Sequence, residues 1–109
     1  MAVKAIALRY HIGDLIMIYA IATLNVKNPE KLAEYREVAS EALARHGGAV
    51  VTASAAPLAL EGSPELADAT ALLSFPDKQA GLNWINDPDL SEVHSLRQSA
   101  GQTAVILLA

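Results

Sequence analysis

Two β-forming segments of the chain, residues 17–26 and 103–109, are apolar on both of the faces that a strand presents. In the first segment the even positions are all apolar, and the odd positions Met17, Tyr19 and Ile21 are nearly as apolar. Successive side chains of a strand point to opposite faces of its sheet. A sheet built from these strands therefore needs cover on both faces, and one layer of helices supplies it on only one.

The first helix is marked by its two ends. Asn28-Pro29-Glu30 is typical of a helix start, because Asn caps the first turn and Pro fits the first helical position. Apolar residues then recur at three- and four-residue steps, which predicts an amphipathic helix. It is expected to run to about His46, where Gly47-Gly48 ends it.

The remaining elements are separated by proline and aspartate. Residues 49–61 predict one long strand kinked near Pro57, or two short ones, and residues 68–75 predict another strand. A helix is expected from Asp77 to the break at Asp87-Pro88. A second short helix follows, with four residues directed inward: Leu90, Val93, Leu96 and Ala100.

The predicted order of elements, β-α-β-β-α-β, is that of a ferredoxin-like α+β sandwich with an antiparallel four-stranded sheet. The length of 109 residues fits one such domain. The uncovered sheet face measures roughly 400 Å² in projection, a size that usually marks an interaction site. We therefore expect a two-fold homodimer with the sheets face to face. The alternative is that residues 1–16 fold back over this face.

Composition disfavours several classes of function. The chain has no cysteine, which removes disulfides, thiolate metal sites and thiol nucleophiles. Its net charge is −4 without a basic cluster, and it has one Trp and one Phe, so nucleic acid is not an expected partner. The longest charge-free apolar stretch near the start, residues 15–26, is shorter than the roughly 20 residues of a membrane helix. A cytoplasmic protein is expected.

The usual motifs of nucleotide hydrolysis, dinucleotide redox, serine hydrolysis and zinc catalysis are missing from the sequence. No cofactor or metal is therefore expected. Cofactor-free chemistry remains, either isomerisation of a small carbonyl compound or monooxygenation of an electron-rich substrate. Each would need only one base and a dry pocket.

Four residues are candidates for catalysis. His46 and Glu61 could form an acid and base pair if the first helix brings the imidazole to the turn before Gly62. His94 and Arg97, one turn apart, could present a proton-transfer group and a cation to an anionic ligand such as a carboxylate or enolate. Each has a structural alternative. His46 could cap its helix, and Glu61 could be a turn carboxylate. His94 and Arg97 could lie on a solvated helix face or form an ion pair at the dimer edge.

Four further residues are candidates for ligand binding. Tyr19 and Tyr35 could hydrogen-bond a ligand across a cleft, although buried tyrosines usually find a protein partner. Trp84 could serve as a platform, but its helical spacing is more typical of a core residue. Asn86 could contact a substrate or simply end its helix.

From Met17 onward the sequence resembles a small bacterial family known as domain of unknown function 1330, within the dimeric α+β barrel superfamily. The resemblance rests on the order and spacing of eight signatures: Tyr19-Ala20-Ile21-Ala22, Asn28-Pro29-Glu30, Tyr35, His46-Gly47-Gly48, Leu60-Glu61-Gly62, Phe75-Pro76, Trp84-Ile85-Asn86-Asp87-Pro88 and Arg97. Residues 1–16 lie outside the pattern as an N-terminal extension, and residues 17–109 form the domain.

This resemblance implies a homodimer whose two sheets make a barrel. Related superfamily members include proteins similar to antibiotic-biosynthesis monooxygenases and to muconolactone isomerase, which place small organic ligands between sheet and helices. A small-molecule binder or cofactor-free enzyme is thus one hypothesis, and a non-catalytic module that dimerises is the other. A cavity of a few hundred Å³ with at least two of six polar groups would favour the first; these are Tyr19, His46, Glu61, Asn86, His94 and Arg97. A pocket filled by Trp84, Ile85 and Leu90 would favour the second.

Overall fold

The computed structural model describes residues 17–109, and in them the predicted order of elements is confirmed. Three α-helices, with a short 3₁₀ turn at Pro88–Leu90 between the last two, lie against one four-stranded antiparallel sheet of order β2-β3-β1-β4. This is the ferredoxin-like arrangement. The elements are β1 (Ile18–Val26), α1 (Pro29–Ala44), β2 (Ala49–Ser54), β3 (Ala69–Phe75), α2 (Lys78–Asn86), α3 (Ser91–Ala100) and β4 (Gly101–Leu108).

Strand β1 lies inside the sheet, and its even positions face the helices. Ala20 is 1% exposed and pairs with Leu73 of β3 and Leu107 of β4. These side chains pack with Phe75 and Trp84 in the core. The register therefore assigns every even residue of β1 to the core side of the sheet.

The ends of α1 follow the capping residues. The Asn28 side chain accepts a hydrogen bond from the backbone N–H of Lys31 at 3.2 Å, with Pro29 as the first helical residue. After Ala44 the chain turns through Gly47, whose φ is +73°, and the N–H of Gly48 donates to the Leu43 carbonyl at 2.8 Å. This Schellman-type ending uses the left-handed conformation that glycine adopts without strain.

The segment after β2 departs from the prediction. The strand ends at Ser54, and the chain from residue 55 to residue 68 forms no strand, so neither the kinked continuation nor a second short strand is formed. Leu58 and Leu60 are 80% and 94% exposed. The prediction fails because β2 is an edge strand and Pro57 has no N–H to donate.

The odd positions of β1 lie on the opposite face of the sheet, called here the outer face. Residues paired with them on the neighbouring strands share this face: Ile21 is flanked by Leu72 and Ile106. Ile106 and Leu108 are 59% and 52% exposed. The second apolar face predicted from the sequence is thus present, while the alternative cover by residues 1–16 falls outside the described residues.

Candidate functional site

Helix α3 directs two nitrogen-rich side chains into the interior. His94 is 7% exposed and Arg97 is 5% exposed. They follow the buried Leu90 by four and seven residues, a spacing that places all three on one face of the helix. The solvated-face alternative for His94 and Arg97 is therefore wrong.

The hydrogen bonds of His94 define its tautomer. Its Nε2 lies 2.9 Å from the carbonyl oxygen of Trp84, and its Nδ1 lies 2.9 Å from Nη1 of Arg97. A carbonyl only accepts and a guanidinium only donates, so Nε2 carries the hydrogen and Nδ1 accepts from Arg97. Both ring nitrogens are thus used within the protein, which fits a residue that positions Arg97.

The charge state of His94 agrees with this arrangement. Burial lowers the pKa of His94 below its usual 6.5, and the positive charge of Arg97 lowers it further, while the bond to the Trp84 carbonyl acts in the opposite direction. The imidazole is therefore neutral at pH 7. Arg97 alone supplies the positive charge of the pair.

Arg97 is enclosed by aromatic groups and, in the part of the chain that the structure describes, has no acidic partner. Its Nη1 lies 3.5 Å from the Tyr35 hydroxyl, and its guanidinium carbon lies 5.7 Å and 5.2 Å from the Tyr35 and Trp84 ring centres. Within residues 17–109 no carboxylate forms an ion pair with it. Two buried donors, Nε of Arg97 and Nε1 of Trp84, lack acceptors there. Among the described residues, the site thus has two N–H donors without an acceptor and a positive charge without an anion.

A cavity of about 450 Å³ opens beside this group, between the sheet and α1. Tyr35, Trp84 and Arg97 form part of its wall. The rest is mostly small and apolar, with alanines from β1, β2, β3 and α1: Ala22, Ala39, Ala53, Ala69 and Ala71. A second cavity, of about 350 Å³, lies toward β4 and also contacts Trp84 and Arg97. The cavity has the volume expected for a ligand-binding protein, but of the six polar groups named in that condition only Arg97 lines it, joined by Tyr35.

The competing condition, a filled pocket, is not met. Trp84 and Leu90 are buried, but Ile85 is 39% exposed. The candidates chosen from the sequence did not include several polar residues of the cavity wall, among them Arg36 and Ser40 of α1. They follow Leu32 by four and eight residues, so the helical period was the signal that could have found them.

His46 belongs to a separate polar cluster at the end of α1. Its Nε2 lies 2.8 Å from Oδ2 of Asp87, which also pairs with Nε of Arg45 at 3.3 Å. The hydrogen bond from His46, with smaller contributions that include Arg45, lowers the pKa of Asp87 below 3.8. Glu61 lies in the exposed segment after β2. The predicted pair of His46 with Glu61 is therefore replaced by His46 with Asp87, which ties α1 to the turn before α3.

The remaining predicted ligand-binding residues lie away from the cavity wall. Tyr19 occupies an odd position of β1 and is on the outer face, whereas Tyr35 lies on the helix side. The two tyrosines therefore do not share a cleft within one chain. Asn86 is the exposed last residue of α2. The structure thus groups Tyr35, Trp84, His94 and Arg97, and it separates Tyr19, His46, Glu61 and Asn86 from them.

Neither a metal site nor a membrane span is found in the described part of the chain. Residues 17–109 contain no group of three His, Asp or Glu side chains arranged to hold a metal ion. None of the helices formed by those residues has the length and apolar character needed to cross a membrane.

Comparison with known proteins gives a family and a set of similar folds. The family model described as "Domain of unknown function (DUF1330)" matches residues 17–109. A solved protein of unknown function from Rhodopseudomonas palustris is 23% identical, with a TM-score of 0.67 over 96% of this chain and 91% of that one. No curated protein matches the sequence significantly.

Two further solved structures share the fold at lower identity. One is described as a dimeric ferredoxin-like protein of unknown function from Jannaschia, at 16% identity and a TM-score of 0.64 over 85% of this chain and 98% of that one. The other is a mutant of SnoaB, a cofactor-independent oxygenase from Streptomyces nogalater, at 12% identity and a TM-score of 0.62 over 86% and 92%. At these identities the likeness concerns the fold alone.

Proposed function

We propose that this chain, which belongs to the DUF1330 family through the match over residues 17–109, is a homodimeric protein that binds a small organic molecule between its sheet and α1. The observation that carries the proposal is the cavity of about 450 Å³ with Tyr35, Trp84 and Arg97 in its wall. Its volume and mostly apolar lining are typical of small-molecule sites. Alanine side chains on the sheet leave this space open.

The homodimer is supported by the outer face of the sheet. Ile21, Leu72 and Ile106 lie side by side there, and Ile106 is 59% exposed. An apolar surface of this kind is typical of an interface, and a two-fold pair of identical faces is the commonest assembly. The Jannaschia protein of similar fold is described as dimeric.

Binding is tested with a cavity-filling variant. Ala71 lies on the cavity floor, so A71L reduces the space, whereas A33L adds the same side chain at an exposed position of α1. Fragments found by ligand-observed NMR against the parent are expected to bind A33L and to lose binding to A71L. Equal binding to A71L, or no binding fragment at all, would contradict the proposed site.

The second part of the proposal is that the protein is an enzyme, either an isomerase or a monooxygenase, that uses no cofactor. It is tested on the bound fragment by mass spectrometry in aerated deuterated buffer. Gain of an oxygen atom would indicate oxygenation, and deuterium at a carbon would indicate proton abstraction. An unchanged fragment would leave binding as the activity.

A further inference from the structure

Resting on the proposed function, we infer that the ligand of this cavity is an organic acid with an apolar body, whose carboxylate is bound by Arg97. The inference starts from the placement of the guanidinium. Arg97 is 5% exposed, forms part of the cavity wall and has no ion-pair partner among residues 17–109. Burial of an uncompensated charge is strongly unfavourable, so a buried arginine of this kind indicates a missing anion.

The groups around Arg97 hold it in place but do not neutralise it. His94 accepts a hydrogen bond through Nδ1 as a neutral ring, since its Nε2 donates to the Trp84 carbonyl. The Tyr35 hydroxyl accepts at 3.5 Å. The rings of Tyr35 and Trp84 provide only the partial compensation of cation–π contacts. The guanidinium therefore keeps a full positive charge.

The charge of the whole cavity agrees with an anionic ligand. The protein has a net charge of −4 and twelve acidic residues. Among residues 17–109, however, the cavity wall contains two arginines, Arg36 and Arg97, and no acidic residue. Arg36 is exposed and Arg97 is buried. A planar guanidinium matches a carboxylate with two parallel hydrogen bonds, and the alanine-rich wall fits an apolar body.

The test compares acids with neutral amides of the same shape. The probes are benzoate with benzamide and 2-naphthoate with 2-naphthamide, titrated into isotopically labelled protein at neutral pH and followed by NMR shift changes. The parent is expected to bind each acid at least tenfold more tightly than its amide. R97Q is expected to lose this preference, and K78Q, at an exposed lysine of α2 outside the cavity wall, is expected to retain it.

Each outcome decides between the inference and the function on which it rests. Equal affinity for acid and amide in the parent would overturn the acid inference while leaving a small-molecule site. Persistence of the preference in R97Q would assign the anion to another residue. No binding of either member by the parent would overturn the cavity as a site for these ligands. Because the acid and amide comparison uses the parent, the inference stays testable if R97Q does not fold.

Discussion

His94 and Arg97 share the interior as a pair in which only one member is charged. An arginine cannot release its proton in a protein, so His94 must be the neutral partner that accepts the 2.9 Å hydrogen bond. Protonation of the imidazole would place a second cation against the guanidinium and remove the acceptor. The pair is therefore stable only in one protonation state.

Acidification is expected to destabilise the fold through His94. Because burial holds its folded pKa below 6.5, the unfolded chain takes up a proton that the folded chain does not. The contribution of His94 to the free energy of unfolding is therefore fully present above about pH 6.5. It decreases as the pH drops toward the folded pKa, by at most ~1.4 kcal/mol per pH unit. Below the folded pKa this contribution levels off. Urea unfolding from pH 8 to pH 5 measures the slope.

The matched variants are H94Q and H46Q. The first removes the buried imidazole and is expected to flatten the slope between pH 6.5 and pH 5. The second removes the imidazole that pairs with Asp87 near the surface and is expected to leave that contribution of His94 in place. An unchanged slope in H94Q would contradict the assignment.

The sequence left the burial of these two residues open and contained no information on their contacts. Their spacing from Leu90 is compatible with the inward face of α3, but the residues predicted to point inward were Leu90, Val93, Leu96 and Ala100. The approach of Tyr35 to Arg97 joins residues 62 positions apart, and it depends on how α1 and α3 cross the sheet. Local periodicity contains no such information.

At the scale of elements, local hydrogen bonds made the helices predictable. The Asn28 side chain caps α1, and the Asp77 side chain caps α2 by accepting from the N–H of Ala80 at 2.7 Å. These interactions span three residues and depend little on the rest of the fold. The strand expected beyond Pro57 failed because a strand depends on a neighbour, and edge strand β2 provides pairing on only one side.

The cap of α1 gives a stability prediction. N28A removes the acceptor for the Lys31 N–H and is expected to lower the free energy of unfolding by about 1 kcal/mol. N83A is the control, because Asn83 is exposed within α2 and, among residues 17–109, its side chain bonds only to the Gln79 side chain. Thermal unfolding should show a clear loss for N28A and little change for N83A. Equal losses would indicate that the cap does not stabilise α1.

At the scale of the whole molecule, the two faces of the sheet differ in the size of their apolar residues. Its helix side carries small alanines that leave the cavity open, and its outer face carries larger apolar residues such as Ile21, Leu72 and Ile106. Alternation along each strand sends neighbouring residues to different faces. Changes to the two faces should therefore affect assembly and ligand binding separately.

Charge on the outer face is expected to break the proposed homodimer. Ile106 is 59% exposed in the single chain, and I106D would place two carboxylates in a face-to-face interface without partners. Burial of an unpaired charge costs about 3 kcal/mol or more, which raises the dissociation constant roughly a hundredfold.

L82D is the control, because Leu82 is 39% exposed on α2, on the helix side. Sedimentation equilibrium should give a dimer for the parent and L82D at concentrations where I106D is a monomer. A dimer that I106D leaves intact would place the interface away from this part of the outer face, since a carboxylate buried between two apposed apolar faces lacks a compensating cation.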